Sequence, residues 1–327
     1  MRVCVLGAGA MGSVYGGLLR EAGHDVTLVD VWREHVEAIA ARGLRLDGVR
    51  GERVVRIAAA TAVPDGIAAD VAMIWTDANN TRAAAEQAAR ALAPDGFAVT
   101  LQNGIGNVEA LVEILGKRRV AAGSSMCSAA IRGPGHASLT HLGATSLGEI
   151  DGGSSPRVDA LVAALAAAGF EVHASADVMS LIWTKFALNC AINAICATTG
   201  LRLGEFARLP ATDRFQDLVV EEILAVTRAK GITLAYPDFR ATVKEQCWKK
   251  FSRPSMLQHI DAGKRTEIDA LNMKLVEEGR RLGVSTPYNE ALSLLCKGVE
   301  HKAGPARGRG EADYAMLEKR AATETRP

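Results

Sequence analysis

Residues Gly7-Ala8-Gly9-Ala10-Met11-Gly12 constrain this chain more than any other segment, because they follow directly on a β-rich run, residues 2–6, and open a helical pattern. At such a junction the first glycine makes the tight bend, the second lets a phosphate approach the backbone, and the third lets the helix pack on the strand. The helix N-terminus then offers unpaired N–H groups to the phosphates. A glycine-rich turn joining two packed elements would read the same in isolation. Here a second β-rich run, residues 25–29, leads into an acid, Asp30, about 20 residues beyond the motif, where a bound dinucleotide presents its ribose. Gly7, Ala8, Gly9, Ala10, Met11 and Gly12 are therefore expected to hold the cofactor.

The rest of the N-terminal half agrees with that reading. Residues 71–75, 97–101 and 120–126 read as strands, and residues 10–21, 33–42, 81–92 and 108–115 carry apolar side chains at helical spacing. Strands alternating with helices imply βαβ units and a mainly parallel sheet, the Rossmann arrangement. Residues 135–150 alternate like β structure, and the sheet is expected to end at residues 170–173. From Asp177 onward only helical periods appear, at 177–199, 213–230, 238–250, 258–282 and 288–302. The expected fold class is α/β, an N-terminal Rossmann dinucleotide-binding domain (1–175) followed by an all-helical domain (176–303). A Gly/Arg-rich tail, 304–327, is expected to fray.

Composition narrows the partners. A chain of 327 residues that is 48% hydrophobic can bury a full core. Its 38 basic and 37 acidic residues leave a net charge of +1, so no net field draws it to nucleic acid or an anionic membrane. A small molecule is the expected partner. The six cysteines form no CxxC pair and no metal-ligand cluster, as buried thiols in a reducing compartment look. With no basic leader and no apolar run read as long enough to cross a bilayer, a cytoplasmic location is expected.

Chemistry is written most plainly in Lys185-Phe186-Ala187-Leu188-Asn189-Cys190-Ala191-Ile192-Asn193. Three polar residues spaced by four share one face of a helix that is otherwise apolar. A snorkelling lysine with two backbone-bonded asparagines is the bland alternative. Reduction of a 2-oxo acid accounts for the residue types better. Hydride attack builds negative charge on the ketone oxygen, and an ammonium group both stabilises it and delivers a proton. Asparagine amides hold a hydroxyl or carboxylate without adding charge.

Two further clusters accompany the ladder. Gln102-Asn103-Gly104 sits at the carboxyl end of a strand, the edge where open α/β sheets bind ligands, so Asn103 can reach nicotinamide and substrate together. Ser255 starts a helical segment, as a cap or as a carboxylate ligand. Glu267 lies beyond it in Thr266-Glu267-Ile268-Asp269; on its own it reads as a surface partner of Lys264 or Lys274. At the adenosine end, Asp30 suits ribose hydroxyls and repels the extra phosphate of NADP, which favours NADH. Arg33, three residues on, is either a phosphate ligand or a solvated residue in a first helical turn.

Taken together, the Gly7/Gly9/Gly12 motif, Gln102-Asn103-Gly104, the Lys185/Asn189/Asn193 ladder and Ser255-Met256-Leu257 ahead of Thr266-Glu267-Ile268-Asp269 resemble the signature of ketopantoate reductases, from residue 1 to about 300. The resemblance implies a Rossmann domain joined to a helical domain, an active site in the cleft between them, and reduction of 2-dehydropantoate with NADPH. It implies Lys185 as general acid, Asn103 beside the nicotinamide, Asn189 and Asn193 as substrate ligands, Ser255 on the substrate carboxylate and Glu267 at the substrate hydroxyl. It also implies a homodimer as one assembly, dimers being common in the family. Two departures stand out: where a basic residue is common near the end of the second strand this chain offers Asp30 ahead of Trp32 and Arg33, and Thr76-Asp77 stands where many members carry a lysine. Both make the adenosine end more acidic. The competing readings are a 3-hydroxy acid dehydrogenase, and a nucleotide-sensing Rossmann protein without catalysis.

Overall fold

The computed structural model describes residues 1–303 together with Glu318 and Lys319. The expectation of a frayed tail falls, apart from those two positions, outside the described residues.

Strand β1 (Arg2–Leu6) is fully apolar from Val3 onward because it is covered on both faces, and the glycine turn sends the chain from it into α1 (Ala10–Glu21). β2 (Asp25–Val29) and α2 (Arg33–Arg42) complete the first parallel unit. Three short strands follow, β3 (Leu44–Gly48), β4 (Arg53–Val55) and β5 (Ala58–Ala60). The chain then crosses to the other side of β1 through β6 (Ala69–Ile74), α3 (Thr81–Ala91), β7 (Leu92–Thr100), α4 (Asn107–Leu115) and β8 (Val120–Ser125). A hairpin of β9 (Ser128–Gly133) and β10 (His136–His141) precedes β11 (Thr145–Glu149), α5 (Pro156–Ala167) and β12 (Val172–Ala174).

These strands make an eight-stranded sheet in the order β12-β11-β8-β7-β6-β1-β2-β5, parallel except where β11 meets β8. Because the chain moves one way from β1 to β2 and the other way from β6 onward, the carboxyl ends of β1 and β6 flank a topological switch point, where such sheets open a crevice. A second sheet, β4-β3-β10-β9, departs from the expected single-sheet reading. It covers α1, which is thus clamped between two sheets, and this accounts for Gly16-Gly17. A Cβ at Gly16 would stand 2.5 Å from Leu28 Cδ2 on β2, and one at Gly17 would stand 2.7 Å from Leu46 Cδ1 on β3. Each glycine costs about 1 kcal/mol of helix propensity, outweighed by the two close approaches.

The helical part begins with α6 (Val178–Thr199), capped by Asp177 and stopped by Gly200 in the left-handed region. Helices α7 (Leu203–Phe206), α8 (Pro210–Lys230), α9 (Phe239–Lys249), α10 (Ser255–Asp261), α11 (Asn272–Leu282) and α12 (Pro287–Ala303) surround it. α6 is apolar nearly all round because its neighbours cover nearly all of it. With 22 residues and a mean hydropathy of 1.4 it is also long and apolar enough to span a bilayer, contrary to the sequence reading, but its surface is spent on the protein core.

One expected helix is two. The segment 258–282 breaks after Asp261, where Gly263 takes φ +64° and Thr266 turns its hydroxyl onto the Ile268 N–H at 3.2 Å. The break frees Glu267 from a helix face.

The helical part also depends on Glu222 of α8, only 7% exposed. Its carboxylate accepts the Tyr288 and Asn289 backbone N–H groups, both at 2.9 Å, and the Asn289 amide at 2.6 Å, so it satisfies the open N-terminus of α12. Glu222→Ala is expected to lower the unfolding free energy by about 3 kcal/mol, since buried donors lose a charged acceptor. A denaturant titration measures this; a loss below about 1 kcal/mol would mean that water replaces the carboxylate.

Candidate active site

The dinucleotide turn is built from three glycines for three different reasons. Gly7 has φ +93°, and a Cβ there would lie 2.6 Å from the Thr76 N at the end of β6. A Cβ at Gly12 would lie 2.0 Å from the Gly7 carbonyl. At Gly9 a Cβ would meet nothing within 4 Å, so this residue faces open space beside the unpaired N–H groups of the α1 N-terminus. That is the cradle a diphosphate fits. The Gly7 and Ala8 N–H groups are already given to Val29 O, at 2.9 and 3.3 Å, which ties the turn to β2.

Beside the turn lies a cavity of about 300 Å³, lined by Gly7, Asp30, Val31, Thr76, Asn80 and Glu86 among others. Asp30 accepts the Trp32 N–H at 2.9 Å, which fixes its carboxylate at the mouth. Val31 is 92% exposed, an apolar surface where a base can stack. Among the described residues that line the cavity there are two acids, Asp30 and Glu86, and no lysine or arginine. Arg33 does not line it: its guanidinium faces Glu37 at 4.0 Å, with its side chain 72% exposed. The residues present fit an adenosine with free ribose hydroxyls.

At the next strand ends three distant segments converge. Gln102 donates to Thr76 O at 2.7 Å and to Thr81 Oγ1 at 3.0 Å, so the turn after β7 is fastened to the turn after β6. Gly104, with φ +85°, lets this turn pass against the loop after α10, since a Cβ would lie 2.6 Å from Ala270 O. The contact brings Asn103 Nδ2 to Glu267 Oε1 at 3.2 Å. Glu267 therefore faces Asn103 rather than Lys264 or Lys274, and Lys274 pairs with Glu277. From α6, Lys185 Nζ donates to Ser125 O, at the end of β8, at 2.5 Å. Burial pushes this ammonium down to about 8, and the Glu267 carboxylate opposes that shift.

Behind Ser125 stands a group of hydroxyls that the sequence reading missed. Tyr15 of α1, fully buried and stacked 4.1 Å from Phe170, meets Ser125 Oγ at 2.9 Å and Thr145 Oγ1 at 2.6 Å. Ser125 Oγ also accepts the Cys127 N–H at 3.1 Å. The carbonyl that receives Lys185 is thus fixed by the helix that carries the dinucleotide turn. Cys127, read as a packing residue, is half-buried in this turn and donates to Gly143 O.

Asn189 and Asn193 follow Lys185 on α6, the first half-buried and the second 4% exposed. Ser255 is the first residue of α10, where Pro254 occupies the cap position, so of the two readings of this serine, cap or carboxylate ligand, the cap is not the one it takes. α10 and α6 pack together within one core.

The comparisons with known proteins agree along the whole described chain. Residues 3–152 match the model for ketopantoate reductase PanE/ApbA, and residues 177–300 match that for its C-terminal part. A 2-dehydropantoate 2-reductase of Pyrococcus abyssi is 33% identical over 312 residues, 93% of this chain and 99% of that protein. The solved structure of a PanE/ApbA family ketopantoate reductase from Ralstonia eutropha JMP134 superimposes with a TM-score of 0.85 at 34% identity, covering 93% of this chain and 99% of that one. D-mandelate dehydrogenase, solved with NADH and anilino(oxo)acetate, does so with a TM-score of 0.84 at 26% identity, over 93% and 99% of the two chains. With both of its halves matched in order and a full-length relative above 30% identity, the chain belongs to the ketopantoate reductase family.

Proposed function

We propose that this protein reduces 2-dehydropantoate, or a closely related 2-oxo acid, to the 2-hydroxy acid, with Lys185 as proton donor and NADH as the preferred reductant. In this reading residues 1–175 hold the dinucleotide and residues 176–303 supply the substrate ligands. A cytoplasmic location and a homodimer belong to the same reading. The observation that carries it is the Lys185 ammonium, buried at the strand ends on Ser125 O and within the field of the Glu267 carboxylate that Asn103 holds. A nicotinamide, when bound, supplies the hydride. Lys185 neutralises charge arising on the ketone oxygen and gives it a proton. Asn189, Asn193 and Ser255 hold the hydroxyl and carboxylate, and Glu267 orients the hydroxyl. The names of the relatives support the substrate, while D-mandelate dehydrogenase shows the same fold serving a protein that binds NADH and a different oxo acid analogue.

Steady-state rates with 2-dehydropantoate and other 2-oxo acids, and with 3-hydroxy acids in the reverse direction, test the assignment. Turnover of 3-hydroxy acids alone, or dinucleotide binding without any turnover, would overturn it.

The acid also predicts a pH profile. A lysine whose value is lowered to about 8 carries its proton below that pH and loses it above. Reductive kcat/KM is therefore expected to be level from roughly pH 6 to 7 and to fall about tenfold per unit above the inflection. Glu267→Gln removes the carboxylate that favours the charged form, so the falling limb moves to lower pH. A limb that stays in place shows that Glu267 does not act on Lys185.

A further inference from the structure

We infer that His35 and Ser13 form a hydrogen-bond relay that sets dinucleotide affinity by holding the Ala8 carbonyl of the glycine turn inward, which makes His35 a positioning residue. The inference rests on the reading of that turn as a dinucleotide site.

His35, on α2, is fully buried. The Gly135 N–H, at the tip of the β9–β10 hairpin, reaches its Nδ1 at 3.0 Å. A ring nitrogen that accepts has no proton, so the proton of the neutral ring is on Nε2. Burial favours that neutral form, lowering the histidine below its ordinary value. Nε2 faces Ser13 Oγ at 3.2 Å, and Ser13 Oγ in turn donates to Ala8 O at 2.7 Å. The serine has one proton and gives it to Ala8, so it accepts from the imidazole. Every donor and acceptor along the line is accounted for, in one direction.

Ala8 lies in the middle of the turn, and its own N–H goes to Val29 O. Both polar groups of this residue are therefore committed to protein. If its carbonyl swung out, it would present a partial negative charge to the diphosphate and tilt the N–H groups that follow it. The same imidazole stacks on Trp32, ring centres 5.0 Å apart, and the Trp32 N–H holds Asp30. One buried ring thus braces the phosphate turn and the acid at the ribose together, using a hairpin from the second sheet as its anchor.

Fluorescence titration with NADH and steady-state kinetics on Ser13→Ala, His35→Ala and the double variant test the relay, with thermal melting to establish that each is folded. Ser13→Ala is expected to raise the NADH Kd about tenfold, the usual weight of a buried hydrogen bond. Its kcat at saturating NADH and its KM for the 2-oxo acid stay within about twofold of the parent, because nothing near Lys185 has moved. The double variant should be no weaker than the worse single, since either change cuts the same line. A folded Ser13→Ala with parental Kd overturns the relay, as does a joint change in kcat and 2-oxo acid KM, which would mark a merely structural defect. If the parent itself binds no dinucleotide, the reading of the glycine turn fails, which is a different result.

Discussion

At neutral pH, Lys185→Ala is expected to reduce a 2-oxo acid roughly 100-fold more slowly than the parent, or slower still, while binding NADH with a Kd within about twofold. The split follows from where the groups come from. Dinucleotide contacts are expected at the ends of β1, β2 and β6, which line the cavity, whereas Lys185 enters from α6 and donates its ammonium N–H to Ser125 O. Alanine therefore removes the proton and the positive charge without disturbing the cradle. Lys185→Arg separates these two contributions: guanidinium keeps the charge but releases its proton only at far higher pH, so it should recover less than about tenfold of the loss. Single-turnover rates at saturating NADH decide the matter. A rate for the alanine variant within about tenfold of the parent would remove Lys185 from the chemistry.

The placing of Glu267 is what keeps such a lysine usable. A carboxylate in direct contact would hold the ammonium proton firmly and keep the value near or above its ordinary 10.5. Here the amide of Asn103 takes the Glu267 oxygens at 3.2 and 3.4 Å, and Lys185 rests on a neutral carbonyl instead. The carboxylate moderates the effect of burial without cancelling it. Substitution of Asn103 by a group that cannot donate would leave Glu267 free to turn toward the lysine.

Much of this is legible in the sequence, because the relevant signals are local. Residues 2–6, 10–21, 25–29 and 33–42 read as elements with the same bounds that β1, α1, β2 and α2 show. The ladder on α6 is equally plain, since three polar side chains on one face of an apolar helix are costly to bury unless they meet polar partners there. The second sheet is not legible as a separate layer: its edge strand β4 has three residues, too few for a period to show. Its trace is Gly16-Gly17, a helix-weakening pair that makes sense only between two close surfaces. The break before Glu267 is hidden for the opposite reason, as apolar Ile260, Ile268, Leu271 and Leu275 continue a helical rhythm across a loop. The Tyr15 hydroxyl group is out of reach altogether, its partners lying 110 and 130 residues away along the chain.

At the other end of the cofactor, kcat/KM is expected to be roughly 100-fold higher with NADH than with NADPH, and Asp30→Ala should erase most of that preference. The extra phosphate of NADPH would enter a cavity whose described lining includes Asp30 and Glu86 and no basic residue. A pair of like charges about 4 Å apart near a protein surface repels by about 4 kcal/mol before salt screening, and the expected ratio needs about 2.7 kcal/mol, so it is reached when about two thirds of that repulsion survives. The variant should act on both cofactors in opposite directions. NADH loses hydrogen bonds from its ribose hydroxyls to a carboxylate, a loss of about tenfold or more, whereas NADPH is relieved of repulsion. Raising the ionic strength should improve NADPH use by the parent and leave the alanine variant nearly indifferent. A parent enzyme that prefers NADPH would show that Asp30 does not choose the nucleotide.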